Sequence, residues 1–377
     1  MTYIITKQKQ KEYQYTFEDI LFNRVPLNMF NTGDGKPGTI TRCVEKINDE
    51  VLAKVSIQSI INNLTLFNVK HQNLHAANKE TLYKTFYIPK KTGGLRRIDA
   101  PNDELKAALN ELKNLLERAC GPLYHTAAFA YIERRCTVDA MKKHQNNESN
   151  WFLKTDFSNF FPSITLDFTL KMSSLIFPLS EIMKDKNGLQ QLTLALSLGF
   201  LNGGLPQGTP LSPMLTNIVM IPFDHTVFNE LSKRKYVYTR YADDIHISCV
   251  QSFDKDKMVE YLRSVLRKFH APFDIKDQKT RYGSRKGSNW NLGLMLNKDN
   301  YITVGHMKKK YFKAALNNFI LDTLHDKPWS IDDVNTLQGN LSYYRSVEIE
   351  YINSVIQRFN EKYNVDVETM IHNQLTP

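Results

Sequence analysis

The chain has 377 residues, 42% of them hydrophobic and 23% charged, which is enough to bury a large core and ordinary for a soluble globular protein of one to three domains. A formal charge of +10 and a pI near 9.2 favour a polyanionic partner such as nucleic acid, although many basic proteins bind none. Four scattered cysteines, Cys43, Cys120, Cys136 and Cys249, contain no Cys-x-x-Cys pair, which argues against a structural zinc site and a disulfide framework and suits a reducing cytoplasm.

The N-terminus has no apolar run long enough for a signal peptide. Residues 1–30 are polar and basic with a short helix expected over 17–22, and 31–38 is a loop by its Gly, Asn and Pro content. Helices are expected over 39–48 and 50–64, the second with Val51, Leu52, Val55, Ile57, Ile60 and Ile61 as apolar positions. His71 and His75 are four apart, but Gln72 stands where a zinc motif needs glutamate, so a surface or packing role is expected.

Residues 82–101 form two strand-like runs around a turn at 91–94, with Lys90, Lys91, Arg96 and Arg97 clustered there. Strand alternation puts Arg96 and Ile98 on one face and Arg97 on the other. The segment alone fits either a solvated basic hairpin or fingers that grip a triphosphate. An amphipathic helix follows over 102–120, with Leu105, Leu109, Leu112, Leu115 and Leu116 on one side. Residues 127–135 are a strand or loop ending in a basic pair, and 137–145 is helical.

A buried strand over 151–156 ends on Asp156 and leads through a turn into a helix; a single Asp there also fits a helix cap. Gly203-Gly-Leu-Pro-Gln-Gly-Thr-Pro-Leu-Ser-Pro213 fixes a rigid loop in which Gln207 can donate and accept, and 214–228 is helix-like. The uncharged run 187–223 is long enough to span a membrane. Its Gly and Pro residues make it a buried active-site segment instead.

Tyr238-Thr-Arg-Tyr-Ala-Asp-Asp-Ile-His-Ile-Ser248 reads as a hairpin with Asp243 and Asp244 at its tip. Adjacent carboxylates on a rigid turn are costly unless a cation such as a divalent metal lies between them; a solvated acidic turn is the alternative. Beyond residue 300, a short strand over 301–305 precedes a basic helix over 306–324 and two helices over 331–345 and 349–363.

Together, the basic hairpin, strand-Asp-x-x-x-Phe-Phe, Leu-Pro-Gln-Gly-x-x-Leu-Ser-Pro and Tyr-Ala-Asp-Asp, in that order, resemble a bacterial reverse transcriptase. Downstream, Phe273-Asp-Ile-Lys-Asp-Gln-Lys-Thr280 is similar to the segment whose lysine approaches the nucleotide, and Trp290-Asn-Leu-Gly-Leu-Met-Leu296 to the primer grip. The resemblance implies an α+β right-hand polymerase with fingers, palm and thumb, an antiparallel palm sheet and a helical thumb. Its divisions would be a helical extension over 1–81, fingers over 82–155 with part of 165–205, a palm over 156–300 and a thumb over 301–377.

It also implies two Mg²⁺ ions, with Mn²⁺ as an alternative, on Asp156, Asp243 and the adjacent Asp244, completed by the Phe157 carbonyl. Asp243 would be the direct ligand and Asp244 a supporting charge. The resemblance puts Lys90, Arg96, Phe161, Gln207 and Lys279 on the dNTP, with Phe161 as the steric gate against a 2′-hydroxyl. It puts Arg135, Tyr241, Ala242, Gly293, Lys308, Lys309 and Lys310 on template and primer; a solvated charged face fits the three lysines equally.

The implied partners are a noncoding RNA template, an RNA–DNA hybrid and dNTPs, with a homo-oligomer or an accessory effector protein besides, and no membrane. The chain stops soon after the thumb, so no ribonuclease H or nuclease domain is expected. The expected role is cDNA synthesis from a dedicated noncoding RNA in antiphage defence. A retron enzyme making RNA-linked single-stranded DNA is the runner-up, since Asp139-Ala-Met-Lys-Lys-His144 fits the retron Asn-Ala-x-x-His element imperfectly and no Val-Thr-Gly precedes the thumb. A template-independent nucleotidyltransferase and a catalytically silent RNA-binding module remain alternatives from other classes.

Overall fold

The computed structural model describes residues 57–90, 93–120, 123–286 and 293–376. The expected elements at 17–22, 31–38 and 39–48, the first part of 50–64, Lys91 and Trp290 lie outside the described residues.

In chain order the first helices are α1 (Ile57–Lys70) and α2 (Gln72–Ala76), followed by the hairpin β1 (Tyr83–Pro89) and β2 (Leu95–Pro101) and the long α3 (Asp103–Cys120). Helix α3 forms where the sequence predicts it. Asn102 accepts the Leu105 amide at 2.8 Å, two acids occupy the first turn, and Leu105, Ala108, Leu109, Leu112 and Leu116 recur at helical spacing and are buried. Residues 127–135 resolve as a loop with a single bridge from Ala128 to Arg240.

Next come α4 (Thr137–Asn146), β3 (Trp151–Asp156), α5 (Phe160–Ser163), α6 (Leu166–Ser173), α7 (Leu179–Lys184) and α8 (Lys186–Ser197). The helix expected over 214–228 is two helices, α9 (Leu211–Val219) and α10 (Ile221–Lys233). The break has a local cause: Pro222 lacks the amide needed to continue a helix and is accepted only in a first turn.

The acidic hairpin is β4 (Val237–Tyr241) and β5 (Asp244–Cys249), followed by α11 (Lys255–Phe269) and β6 (Arg281–Ser284). These strands make a four-stranded sheet in the order β4-β5-β3-β6, with β3 and β6 antiparallel. The chain closes with the two-residue strands β7 (Met295–Leu296) and β8 (Ile302–Thr303), which pair antiparallel, and helices α12 (His306–Leu324), α13 (Ile331–Val347), α14 (Ile349–Tyr363) and α15 (Val367–Leu375).

The fold is mixed helix and antiparallel sheet, as expected. The described residues divide into two compact units, one within 57–135, 155–245 and 254–280 and the other within 136–154, 246–253, 281–286 and 293–376. The first holds the helices around α3 and the acidic hairpin tip. In the second, Phe312, Leu316, Phe319, Leu337, Leu341, Ile352 and Val355 make the core of a four-helix array. A second cluster there, Met141, Phe152, Leu294, Leu296 and Val304, joins α4 and β3 to the β7–β8 pair. No described helix is long and apolar enough to cross a membrane.

Candidate polymerase active site

Asp156 ends β3, a largely buried strand over Trp151–Asp156 in which Phe152, Leu153, Thr155 and Asp156 are all buried. Backbone bonds fix the carboxylate from both sides. The Phe157 amide donates to the Asp243 carbonyl at 3.2 Å, and the Lys276 amide donates to the Asp156 carbonyl at 2.8 Å. The Phe157 ring lies buried, stacked on Phe160 and edge-on to Phe223 and Phe273, so only its backbone remains for the cleft.

Between β4 and β5 the chain reverses at Ala242 and Asp243. Ala242 adopts a left-handed backbone, φ +57°, which costs a non-glycine residue about 1–2 kcal/mol. A buried clamp offsets that cost. The Arg240 guanidinium, fully buried, donates to the Ala242 carbonyl at 2.9 Å and to both oxygens of the equally buried Asp224 at 2.7–3.1 Å. Tyr238 donates its hydroxyl to the same Asp224 at 2.6 Å, and Arg240 also reaches Asn217 at 3.3 Å. Sequence reading missed Arg240 and Asp224. An arginine inside a buried strand was the available signal, since such a charge requires a partner.

The turn brings Asp243 to Asp156. Burial first, then the Asp156 charge, then that of Asp244, push the Asp243 carboxyl up to about 6, and the two acids share a hydrogen bond. Lys279 ion-pairs with Asp156. Burial lowers the Lys279 ammonium, but that hydrogen bond and the charges of Asp156, Asp243 and Asp244 outweigh it and hold its pKa above the ordinary value. Two acids forced together against a single ammonium are a hard-oxygen donor set suited to a divalent cation. Among the described residues no group of three or more His, Cys, Asp or Glu is disposed to hold a metal. Mg²⁺ nevertheless needs only one or two protein carboxylates when substrate phosphates supply the rest. Asp156, Asp243 and the Phe157 backbone therefore fit the group, with Asp244 adjacent.

The acids line a cleft of about 920 Å³ that also exposes Lys90, Arg96, Phe161, Gln207 and Lys279, a volume in the range of small-molecule sites. Strand register separates the cations without removing either from the cleft: Arg96 pairs with Ile88 and Arg97 with Tyr87, so they take opposite faces, and both line it. Arg97 bonds Asp99 at 2.9 Å, which also accepts from Thr85.

The Gly-Pro loop holds the cleft floor residue by residue. The Leu205 amide bonds the Phe161 carbonyl at 3.1 Å, and a Cβ on Gly204 would collide with the Pro162 carbonyl. The Asp99 amide bonds the Gln207 carbonyl at 2.7 Å, and a Cβ on Gly208, φ +119°, would lie 2.9 Å from Ile98 Cγ2.

The other expected residues lie elsewhere in the structure. Tyr241 ends β4 and Ala242 lies in the turn beside Asp243. Arg135 is drawn into its own loop, donating to the carbonyls of His125 and Ala128 at 2.6 and 2.8 Å. In the second unit, Lys308 donates to the Gly293 carbonyl at 2.9 Å, Lys309 pairs with Glu348 at 2.6 Å and lies over the Tyr351 ring, and Lys310 is exposed. His71 pairs with Glu111 at 3.0 Å, a packing role as expected.

The family model described as reverse transcriptase (RNA-dependent DNA polymerase) matches residues 88–309, more than half of the chain. The retron Ec83 reverse transcriptase of Escherichia coli is 28% identical over 285 residues, covering 74% of this chain and 88% of its own. The retron Ec73 enzyme of the same organism is 26% identical over 304 residues, covering 78% and 91%. A solved telomerase from Candida tropicalis, in complex with a fragment of telomeric RNA, aligns with a TM-score of 0.44 and 15% identity over 74% of this chain and 55% of that one. That likeness is too low to argue from, and the assignment rests on the family match and the curated relatives. Enzymes of this family polymerise DNA on an RNA template and use divalent metals. Both of these relatives are retron enzymes, the runner-up group of the expectation drawn from the motifs. The chain belongs to the reverse transcriptase family, as an RNA-directed DNA polymerase of the retron-like bacterial kind.

Proposed function

We propose that the enzyme copies a dedicated noncoding RNA into cDNA by two-metal nucleotidyl transfer, as part of bacterial antiphage defence. The observation that carries the chemistry is the convergence of Asp156, Asp243 and Lys279 at one end of a cleft that also exposes Arg96, Lys90 and Phe161. The imperfect match of Asp139-Ala-Met-Lys-Lys-His144 to the retron element and the lack of a Val-Thr-Gly before the thumb support the defence reading. The retron names of the curated relatives favour a second reading, in which the product is single-stranded DNA linked to its RNA. Residues 82–155 with part of 165–205 would act as fingers, 156–300 as palm and 301–377 as thumb on an RNA–DNA hybrid. A second copy or an accessory effector protein would complete the system.

In this reading Asp156, Asp243 and the Phe157 carbonyl hold two Mg²⁺ ions, with Mn²⁺ able to substitute. When bound, the ions supply the positive charge that stabilises the oxygens around phosphorus during in-line displacement. Lys90 and Arg96 neutralise the triphosphate, Arg by its planar fork. Lys279, the counter-charge of Asp156 in the free protein, faces the same phosphates. Gln207 packs near the nascent pair, and Phe161 abuts the sugar at C2′.

Purified protein with its copurifying RNA, Mg²⁺ and labelled dNTPs tests the reading. Product abolished by RNase pretreatment supports RNA templating, product that survives it indicates a template-independent transferase, and no product sinks the proposal. Phe161→Ala should admit ribonucleotides, raising their relative incorporation about 10-fold or more for a lost steric exclusion. Unchanged sugar selection would remove the gate role.

The pH dependence has a definite sign. A metal ligand must be deprotonated, and the Asp243 carboxyl titrates at about 6. Mn²⁺ affinity measured by calorimetry should hold steady above that pH and fall about tenfold per unit below it. Affinity that is flat down to pH 5 would exclude Asp243 as a ligand.

A further inference from the structure

The loop after Phe129 carries a feature that neither the motifs nor the acid cluster explains. Tyr131 has φ +60°, a left-handed conformation that is a genuine outlier for a bulky residue and collects at functional sites. The strain is held in place from beneath. The carbonyl of Ala130 accepts from buried Asn217 at 2.8 Å, and the Phe129 amide bonds the Arg240 carbonyl at 2.9 Å. Those are the residues that also brace the Asp243 turn, so one buried network holds both left-handed residues.

The Tyr131 side chain meets Phe161, which lines the active cleft. The ring stands edge-on to Phe161, with centroids 6.5 Å apart and planes at 79°. Burial and the charge of Asp243 push its phenol up, while Arg96 acts in the opposite direction, so both cleft charges bear on it. Half of the residue is nevertheless exposed. Phe161 is edge-on to Phe160 at 5.7 Å, and its backbone is held by the Leu205 amide. With Phe160 contacting it from the core, Tyr131 is its partner from the open side.

We propose that Tyr131 is a specificity-positioning residue of the polymerase site: its ring holds Phe161 where that side chain meets C2′ of the incoming sugar, and so sharpens selection of deoxyribonucleotides. The inference rests on the steric-gate reading of Phe161. An edge-on aromatic pair stabilises one ring orientation enough to shift its population about two- to tenfold, and the sugar selectivity should relax by the same factor.

The test uses the full-length protein on a synthetic RNA template with an annealed DNA primer, comparing efficiencies for one dNTP and its rNTP. Tyr131→Ala is expected to raise the rNTP-to-dNTP ratio about two- to tenfold. Tyr131→Phe should keep the wild-type ratio, and Tyr131→Ala added to Phe161→Ala should change nothing further. A purely structural role would lower both efficiencies together and leave the ratio unmoved, which overturns the proposal. A Tyr131→Phe variant that behaves like Tyr131→Ala also overturns it, because the ring is then not the active part. If Phe161→Ala relaxes selection and Tyr131→Ala does not, only the Tyr131 role falls. If Phe161→Ala leaves selection intact, the gate reading falls and takes this inference with it.

Discussion

Asp243→Asn is expected to abolish DNA synthesis, by about three orders of magnitude or more, while leaving RNA binding unchanged. A bound cation contributes several kcal/mol of charge stabilisation, and each 1.36 kcal/mol is a factor of about ten in rate. The substitution keeps the shape of the side chain and removes its charge. Burial and the neighbouring acids already raise this carboxyl to about 6, so near neutral pH it is ionised at a cost to the metal-free fold relative to the unfolded chain. The variant should therefore melt no lower than wild type without metal, and Mn²⁺ should protect it less. Labelled dNTP incorporation, RNA gel shift and thermal melts with and without Mn²⁺ decide the matter together. Retained synthesis would refute the role of Asp243, and lost RNA binding would show that the substitution had damaged more than the site.

The second large effect is on stability. Arg240→Met should cost about 3–5 kcal/mol, because it leaves the Asp224 carboxylate buried with its guanidinium partner gone. Asp224 and Arg240 are both 0% exposed at the side chain, so water cannot replace the lost contact. Adding Asp224→Asn to that variant should recover much of the stability, since the stranded charge disappears. It should not recover synthesis, because the Ala242 carbonyl would still lack its donor at the turn that presents Asp243. Chemical denaturation and primer extension on wild type and the two variants separate the two contributions. A single variant as stable as wild type, or a double variant with full activity, would show that the pair does not brace the turn.

Much of the fold was legible because its signals are local. The helical spacing of Leu105, Leu109, Leu112 and Leu116, the cap at Asn102 and the basic hairpin all act within a few residues. Helix α11 carries an equally clear pattern in Met258, Val259, Leu262, Val265 and Leu266, and α15 a shorter one. The single helix expected over 214–228 breaks at Pro222, a local signal that outweighs the apolar run on either side of it.

The site divides along the same line. Asp156, Asp243, Phe161 and Gln207 line one cleft, and each sits in a short run whose residue types the proposed chemistry restricts. Lys308 and Lys309 show the limit of that method: charge in a helix says nothing of where an ammonium ends, and here they end on the Gly293 carbonyl and on Glu348. Arg135 likewise ends on its own loop.

The sequence by itself determined which acids, cations and aromatics could serve a polymerase, and the strand and turn that would carry each, because those depend on neighbours along the chain. Only the tertiary structure decided that Asp156, 87 positions before Asp243, lies against it and raises its carboxyl, that Arg240 spans Asp224 and the Ala242 carbonyl, and that Tyr131 meets Phe161 edge-on. Those contacts join segments whose separation along the chain carries no periodic signal, and burial, which makes each of them matter, exists only once the chain is folded.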